Sequence, residues 1–182
     1  MCGGVVFPYK PEYKAFLQRF YSPDEIAEFE KTGEVKSLYW QRGEPVLPVK
    51  APAKADNEDE SVEIMQWGNR DKDAPFPQTG WARRESLDDG KWSYLKPKPT
   101  TIPVTHGVEK GKWFEIEHGI EGVVVERAGE KRVYMLTEEA DPEYLARTNH
   151  PRMPVLEDQT DINWLEGDPT GTDSAQEKSH SE

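Results

Sequence analysis

The sequence predicts an α+β fold, with a bent, partly barrel-like antiparallel sheet and a few short helices. Three observations lead there. Stretches rich in β-branched and aromatic residues recur at 101–104, 113–116, 122–126 and 132–136, each bounded by turn residues, which is the pattern of strands in an antiparallel sheet. The 14 glycines and 15 prolines cut the chain into short pieces and exclude a bundle of long helices. A length of 182 residues suits one domain around one core.

Taken in order, Val5-Val6-Phe7 reads as a short buried strand ended by Pro8. Tyr13, Phe16, Leu17 and Phe20 follow at helical spacing, so a short helix lays one face on the core. Ser22, Pro23 and Glu25 form a helix start: the hydroxyl caps, the proline suits the first turn, and the glutamate completes a capping box. That helix points Ile26 and Phe29 inward and stops near Gly33. Strands are expected at 38–40 and 46–49, broken by Gly43-Glu44-Pro45. Residues 51–61 lack aliphatic periodicity and read as a mobile loop. A segment at 62–67 precedes a proline-rich loop through Pro75 and Pro77, then 80–87. Asp141 caps a last short helix that ends before His150-Pro151. Domain boundaries are set at 1–166 for the folded unit and 167–182 for a disordered acidic tail.

The chain carries 23 basic and 35 acidic residues, a formal charge of −12, which argues against nucleic-acid binding until the charge is located. From Leu156 onward there are eight acids against one base, so this short segment supplies seven of the twelve net negative charges. A second acidic cluster lies at 56–63. The remainder is close to balanced and is able to present a basic face. No apolar run approaches the roughly 18 residues of a bilayer span, and the start of the chain lacks a signal-peptide pattern. A cytoplasmic monomer with no membrane partner is therefore expected. The single cysteine makes no internal disulfide and excludes a zinc ribbon or CxxC motif.

That cysteine is nevertheless the most informative residue. Methionine aminopeptidase removes an initiator methionine that precedes a small residue, so the mature chain is expected to begin at Cys2. Its α-amine, with a pKa of about 8, and its thiol, of about 8.5, then sit on adjacent carbons. Such a 1,2-aminothiol condenses with an aldehyde to an imine and closes to a thiazolidine, which no internal cysteine can do. The plainer reading is a small residue at an untethered terminus, although Gly3-Gly4 ahead of a buried strand would anchor it and let a ligand approach the backbone. His150 lies in His150-Pro151-Arg152-Met153-Pro154, where two prolines restrict the backbone, and a fixed imidazole exchanges protons near neutral pH. A surface histidine fits the same pattern. Glu109 comes after a strand and a glycine, within the run His106-Gly107-Val108-Glu109-Lys110, and is either a proton carrier or a solvated turn residue. Trp81-Ala82-Arg83-Arg84-Glu85-Ser86, with Trp67 upstream, combines guanidinium groups for phosphates with rings for unpaired bases; equally, the tryptophans are core and the arginines are paired. His106, His118 and His180 have no ligand spacing, so neither a metal nor another cofactor is expected.

Together, Met1-Cys2-Gly3, Gln66-Trp67-Gly68, Ala82-Arg83-Arg84-Glu85-Ser86, Ile102-Pro103-Val104 and His150-Pro151-Arg152-Met153-Pro154-Val155 resemble, in this order, the SOS response-associated peptidase family. The similarity runs from Cys2 to about Leu165. The resemblance implies self-processing or removal of Met1, then crosslinking of Cys2 to abasic sites in single-stranded DNA as a thiazolidine, with lyase chemistry available through the imine. By motif, Cys2 is the nucleophile, His150 the family histidine that assists sugar opening, and Glu109 the family glutamate. Arg83, Arg84, Trp81, Trp67 and Arg152 become DNA-binding candidates, and nucleoid association on damaged DNA is expected. The chain departs from the family at Trp81, where asparagine is usual, at Gly4, where arginine is usual, and around Glu109, where one residue is missing. The alternative from a different class is a non-covalent module for single-stranded nucleic acid that has lost catalysis. A third reading, a cysteine peptidase acting on other chains, follows from the likeness to N-terminal nucleophile hydrolases.

Overall fold

A computed structural model describes residues 2–51, 61–158 and 162–170. Strand β1 (Gly4–Pro8) leads through a 3-10 turn (Pro11–Tyr13) into the single-turn helix α1 (Lys14–Leu17), then α2 (Pro23–Thr32). The chain continues through β2 (Glu34–Leu38), β3 (Val46–Ala51), β4 (Ser61–Trp67), β5 (Trp81–Arg83), α3 (Arg84–Asp88), β6 (Lys98–Ile102), β7 (His106–Glu109), β8 (Lys112–Glu115), β9 (Ile120–Arg127) and β10 (Glu130–Glu139). It closes with α4 (Pro142–Thr148), β11 (Arg152–Pro154) and β12 (Asn163–Trp164). The class is α+β, with a nearly closed barrel-like sheet and, among the described residues, four short helices.

Local chemistry sets the helix ends. Ser22 Oγ accepts from the Glu25 N–H at 3.2 Å while Glu25 Oε1 accepts from the Ser22 N–H at 2.9 Å, and Gly33 ends α2 in the left-handed region at φ 77°. In α4, Asp141 accepts from the Tyr144 N–H at 2.7 Å, and Asn149 terminates the helix at φ 54°. This cap places His150 one residue beyond a fixed helix end.

The sheets form two groups. One has the order β12-β8-β7-β1-β2, and the other runs β3-β4-β10-β9-β6. Strand β10 is the hub of the second. One of its edges pairs antiparallel with β9 and then β11, and the other pairs parallel with β4 and then β5. The outer strands β3 and β6 approach each other, with Thr100 Oγ1 donating to the Lys50 carbonyl at 3.1 Å, which bends the sheet towards closure. Val5, Phe7, Leu17, Ile102 and Met135 are among the side chains filling the interior.

Several expectations shift. The helix over 13–20 is a 3-10 turn followed by one α-turn, and β2 spans 34–38 rather than 38–40. Tyr39 and Trp40 instead form the turn after it. The sheet is not wholly antiparallel, because β4 and β5 join β10 in parallel. Most of the expected 51–61 loop and residues 171–182 of the expected tail lie outside the described residues. Of the tail's start, Asp168 is held by Lys36 Nζ at 2.8 Å, so the chain is tied to the domain beyond residue 166. No helix among the described residues is long and apolar enough to cross a membrane.

Candidate active site

The start of the chain is held by both neighbours of β1. The Gly3 N–H donates to the Val108 carbonyl at 3.0 Å, and the Gly3 carbonyl accepts from the Tyr39 N–H at 2.9 Å. Gly4 pairs with Leu38 and Val108, and a Cβ on it would fall 2.5 Å and 2.8 Å from those two side chains. The glycine is thus a condition of close strand approach. Gly3, by contrast, faces open space. Cys2 is fully buried, its Sγ donating to the Gly4 carbonyl at 3.2 Å and its own carbonyl accepting from Trp81 Nε1 at 3.0 Å. Gly107 on β7 makes room for the thiol: a Cβ there would sit 3.0 Å from Sγ and 2.6 Å from the Phe114 ring. Burial, and after it the negative charge of Glu109, push the Cys2 thiol up to about 12.

Glu109 ends β7 and is 6% exposed. Burial raises its carboxyl above the ordinary range, opposed by the positive charges of the amino terminus and Lys110. Lys110 also donates from Nζ to the Asn149 carbonyl at 3.2 Å, which ties the turn after β7 to the turn after α4. That tie brings Glu109 Oε1 to 3.6 Å from His150 Nδ1. The separation exceeds a hydrogen bond but is within reach of proton exchange after a small shift. Burial lowers the His150 imidazole. Nδ1 lies 3.1 Å from both the nitrogen and the carbonyl oxygen of Arg152, so it accepts from the N–H when bare and donates to the carbonyl when protonated.

The fold therefore brings Cys2, Glu109 and His150 together from three distant parts of the chain. It adds Tyr144, which sequence reasoning missed. Tyr144 lies fully buried on α4, packed between the rings of Phe114 and Trp164, and its hydroxyl has no hydrogen-bond partner among the described residues. Burial holds its phenol well above the usual value, reinforced by Cys2, then Glu109 and Asp141. An aromatic on a helix face reads as core; its placement one turn ahead of Thr148, both facing inward, was the only signal.

The DNA-binding candidates divide. Trp67 and Trp81 are buried and packed with Tyr39, at centroid separations of 5.3 Å and 4.6 Å from its ring, so neither offers a face to a nucleobase. This corrects the stacking role: Trp81 instead positions Cys2 through its indole N–H, and Trp67 spends its own on the Gly80 carbonyl at 2.9 Å. Arg152 is also committed, with Nη1 2.9 Å from Glu85 and Nη2 donating to the Thr137 carbonyl at 2.8 Å, so it braces the His150 turn. Arg84 pairs with Glu138 at 2.7 Å and remains partly exposed. Arg83 is exposed, with no ion pair among the described residues. Comparisons with protein-family models, curated proteins and solved structures find no match for the chain.

Proposed function

We propose that the chain is an abasic-site crosslinking protein of the SOS response-associated peptidase type, with Cys2 as the reactive residue after Met1 is removed. The observation that carries this reading is the convergence of the Cys2 thiol, the buried Glu109 carboxyl and His150, with 3.6 Å between the last two. Hydrolysis of the Met1–Cys2 bond, by the chain itself or by an aminopeptidase, consumes one water and frees the amine. His150 assists opening of the abasic sugar to its aldehyde. The amine then adds to the aldehyde carbon to give a carbinolamine. Loss of one water, with Glu109 supplying the proton to the departing hydroxyl, gives the imine. The thiol adds to the imine carbon, its S–H proton passes to nitrogen, and the ring closes. A thiol kept protonated by burial suits this order, since it delivers both sulfur and proton in the last step. The same imine permits β-elimination and hence strand cleavage. Arg83, with Arg84 beside it, suits phosphates flanking the lesion.

Mature protein mixed with an abasic single-stranded oligonucleotide should give a band stable to denaturant, with the mass of protein plus DNA less one water. Cys2→Ala should abolish it. A band that persists in Cys2→Ala, or mature protein that forms none, would overturn the assignment. The burial of Cys2 favours one other reading, a non-covalent module for single-stranded nucleic acid. Its binding would survive Cys2→Ala and weaken with salt.

A further inference from the structure

The barrel has a second opening, away from Cys2. Strand β4 ends at Trp67 in the aromatic cluster that holds Cys2, and β10 ends beside β11 and the His150 turn. The opposite ends of these strands border a cavity of about 880 Å³, walled by Val49, Met65, Leu95 and Val124. Its rim is cationic although the chain as a whole carries −12. Lys96 and Lys98 reach it from the start of β6, and Arg127 and Lys131 from the tip of the β9–β10 hairpin. Among the described residues none of these four has an ion pair, and the acids lining the rim are Glu63 and Glu126. Tyr94 stands on the same rim, 67% exposed, with the Arg127 guanidinium 5.9 Å from its ring centroid.

We infer that this opening is a second, non-covalent site for single-stranded nucleic acid, with Tyr94 as its stacking platform. The cations are spread along two segments rather than converging on one point. A lone phosphate or carboxylate would engage one or two of them, whereas a strand presents a phosphate at every step. An exposed phenol ring beside a guanidinium, over an apolar wall, is the surface on which unpaired bases stack without sequence preference. The energetic logic is counterion release at the lysines and base stacking at the tyrosine, and the two respond differently to salt. This site does not depend on the Cys2 chemistry, and the test removes that chemistry.

The full chain carrying Cys2→Ser is titrated into a labelled, undamaged oligothymidylate, and anisotropy is followed over a range of salt concentrations. Reversing two cations, Lys98→Glu with Lys131→Glu, should weaken binding at least about tenfold and flatten the slope of log affinity on log salt by about 1.4, two phosphates' worth for a single strand. Tyr94→Ala should weaken binding about fivefold or more with the slope unchanged, and Tyr94→Phe should restore it. The neutral pair Lys98→Gln with Lys131→Gln guards against artefacts of reversed charge, and should flatten the slope by a similar amount. Groove variants that bind as tightly as the parent would overturn the inference, as would loss of all binding on Arg83→Glu alone, which would confine the strand to the Cys2 face. Uptake of a fluorescent long-chain carboxylate that the oligonucleotide fails to displace would also overturn it, assigning the opening to an apolar anion.

Discussion

A buried hydroxyl without a partner is costly, and Tyr144 keeps one that has none among the described residues, within the field of a thiol and a carboxyl. Leaving such a group unpaired costs about 1–3 kcal/mol, which the unfolded chain avoids by hydrogen-bonding to water. Removing it therefore has opposite consequences for the resting protein and for the proposed reaction. Tyr144→Phe should raise the urea midpoint, because the ring packing against Phe114 and Trp164 is kept while the unsatisfied oxygen is lost. It should also slow formation of the abasic-site adduct about tenfold, the equivalent of about 1.4 kcal/mol in the barrier. The phenol stays protonated at any physiological pH and so offers a donor to the carbinolamine hydroxyl as it departs. A variant that is more stable and reacts at the parental rate would leave the hydroxyl with no part in the chemistry. A purely structural role would move stability and rate in the same direction.

At the scale of elements, β7 is where fold and site meet, since one short strand supplies Gly107 under the thiol and Glu109 beside the imidazole. Gly107→Ala would drive a methyl into the Phe114 ring and against Cys2 Sγ, an overpacking that typically costs about 1–3 kcal/mol. Thermal denaturation should show the loss, and adduct formation should fall further than stability does, because the thiol is displaced. Gly3→Ala, where a Cβ meets nothing within 4 Å, should leave the melting temperature unchanged. How much of this could be read from the chain follows the range of the interactions concerned. Helix α2 and the start of α4 are specified by adjacent residues, Ser22 with Glu25 and Asp141 with Pro142, so their boundaries were legible. Strands β7 and β11 were not, because four residues containing Gly107 and three ending in Pro154 are too short to show alternation. The parallel pairing of β4 with β10 joins Gln66 to Arg132, and no local pattern encodes a contact over such a span. Cys2, Glu109 and His150 stood out for their chemistry and their motifs. Tyr144 and the indole of Trp81 were hidden, since an apolar ring looks the same in sequence whether it fills a core or orients a neighbour.

Over the whole molecule, the buried thiol and phenols share one sign of response to pH. Burial pushes the Cys2 thiol and the Tyr21 and Tyr39 phenols up to about 12, and raises Tyr134 as well. In the unfolded chain these groups lose their protons at about 8.5 for the thiol and about 10 for the phenols. Between those values and about 12 the folded state therefore holds more protons than the unfolded one, so its stability falls as pH rises. Urea midpoints should decline from about pH 8.5 towards pH 12, with Cys2→Ser removing the earliest part of the fall. Self-repulsion of a chain of formal charge −12 would also destabilise it in alkali as the lysines lose their charge. The two causes separate by salt. Repulsion among exposed charges is screened within about 10 Å at 0.1 M ionic strength, whereas the cost of ionising a buried phenol is nearly indifferent to it. The decline should therefore persist in high salt, and a profile that levels out when salt is added would transfer the effect from the buried rings and thiol to the acidic surface.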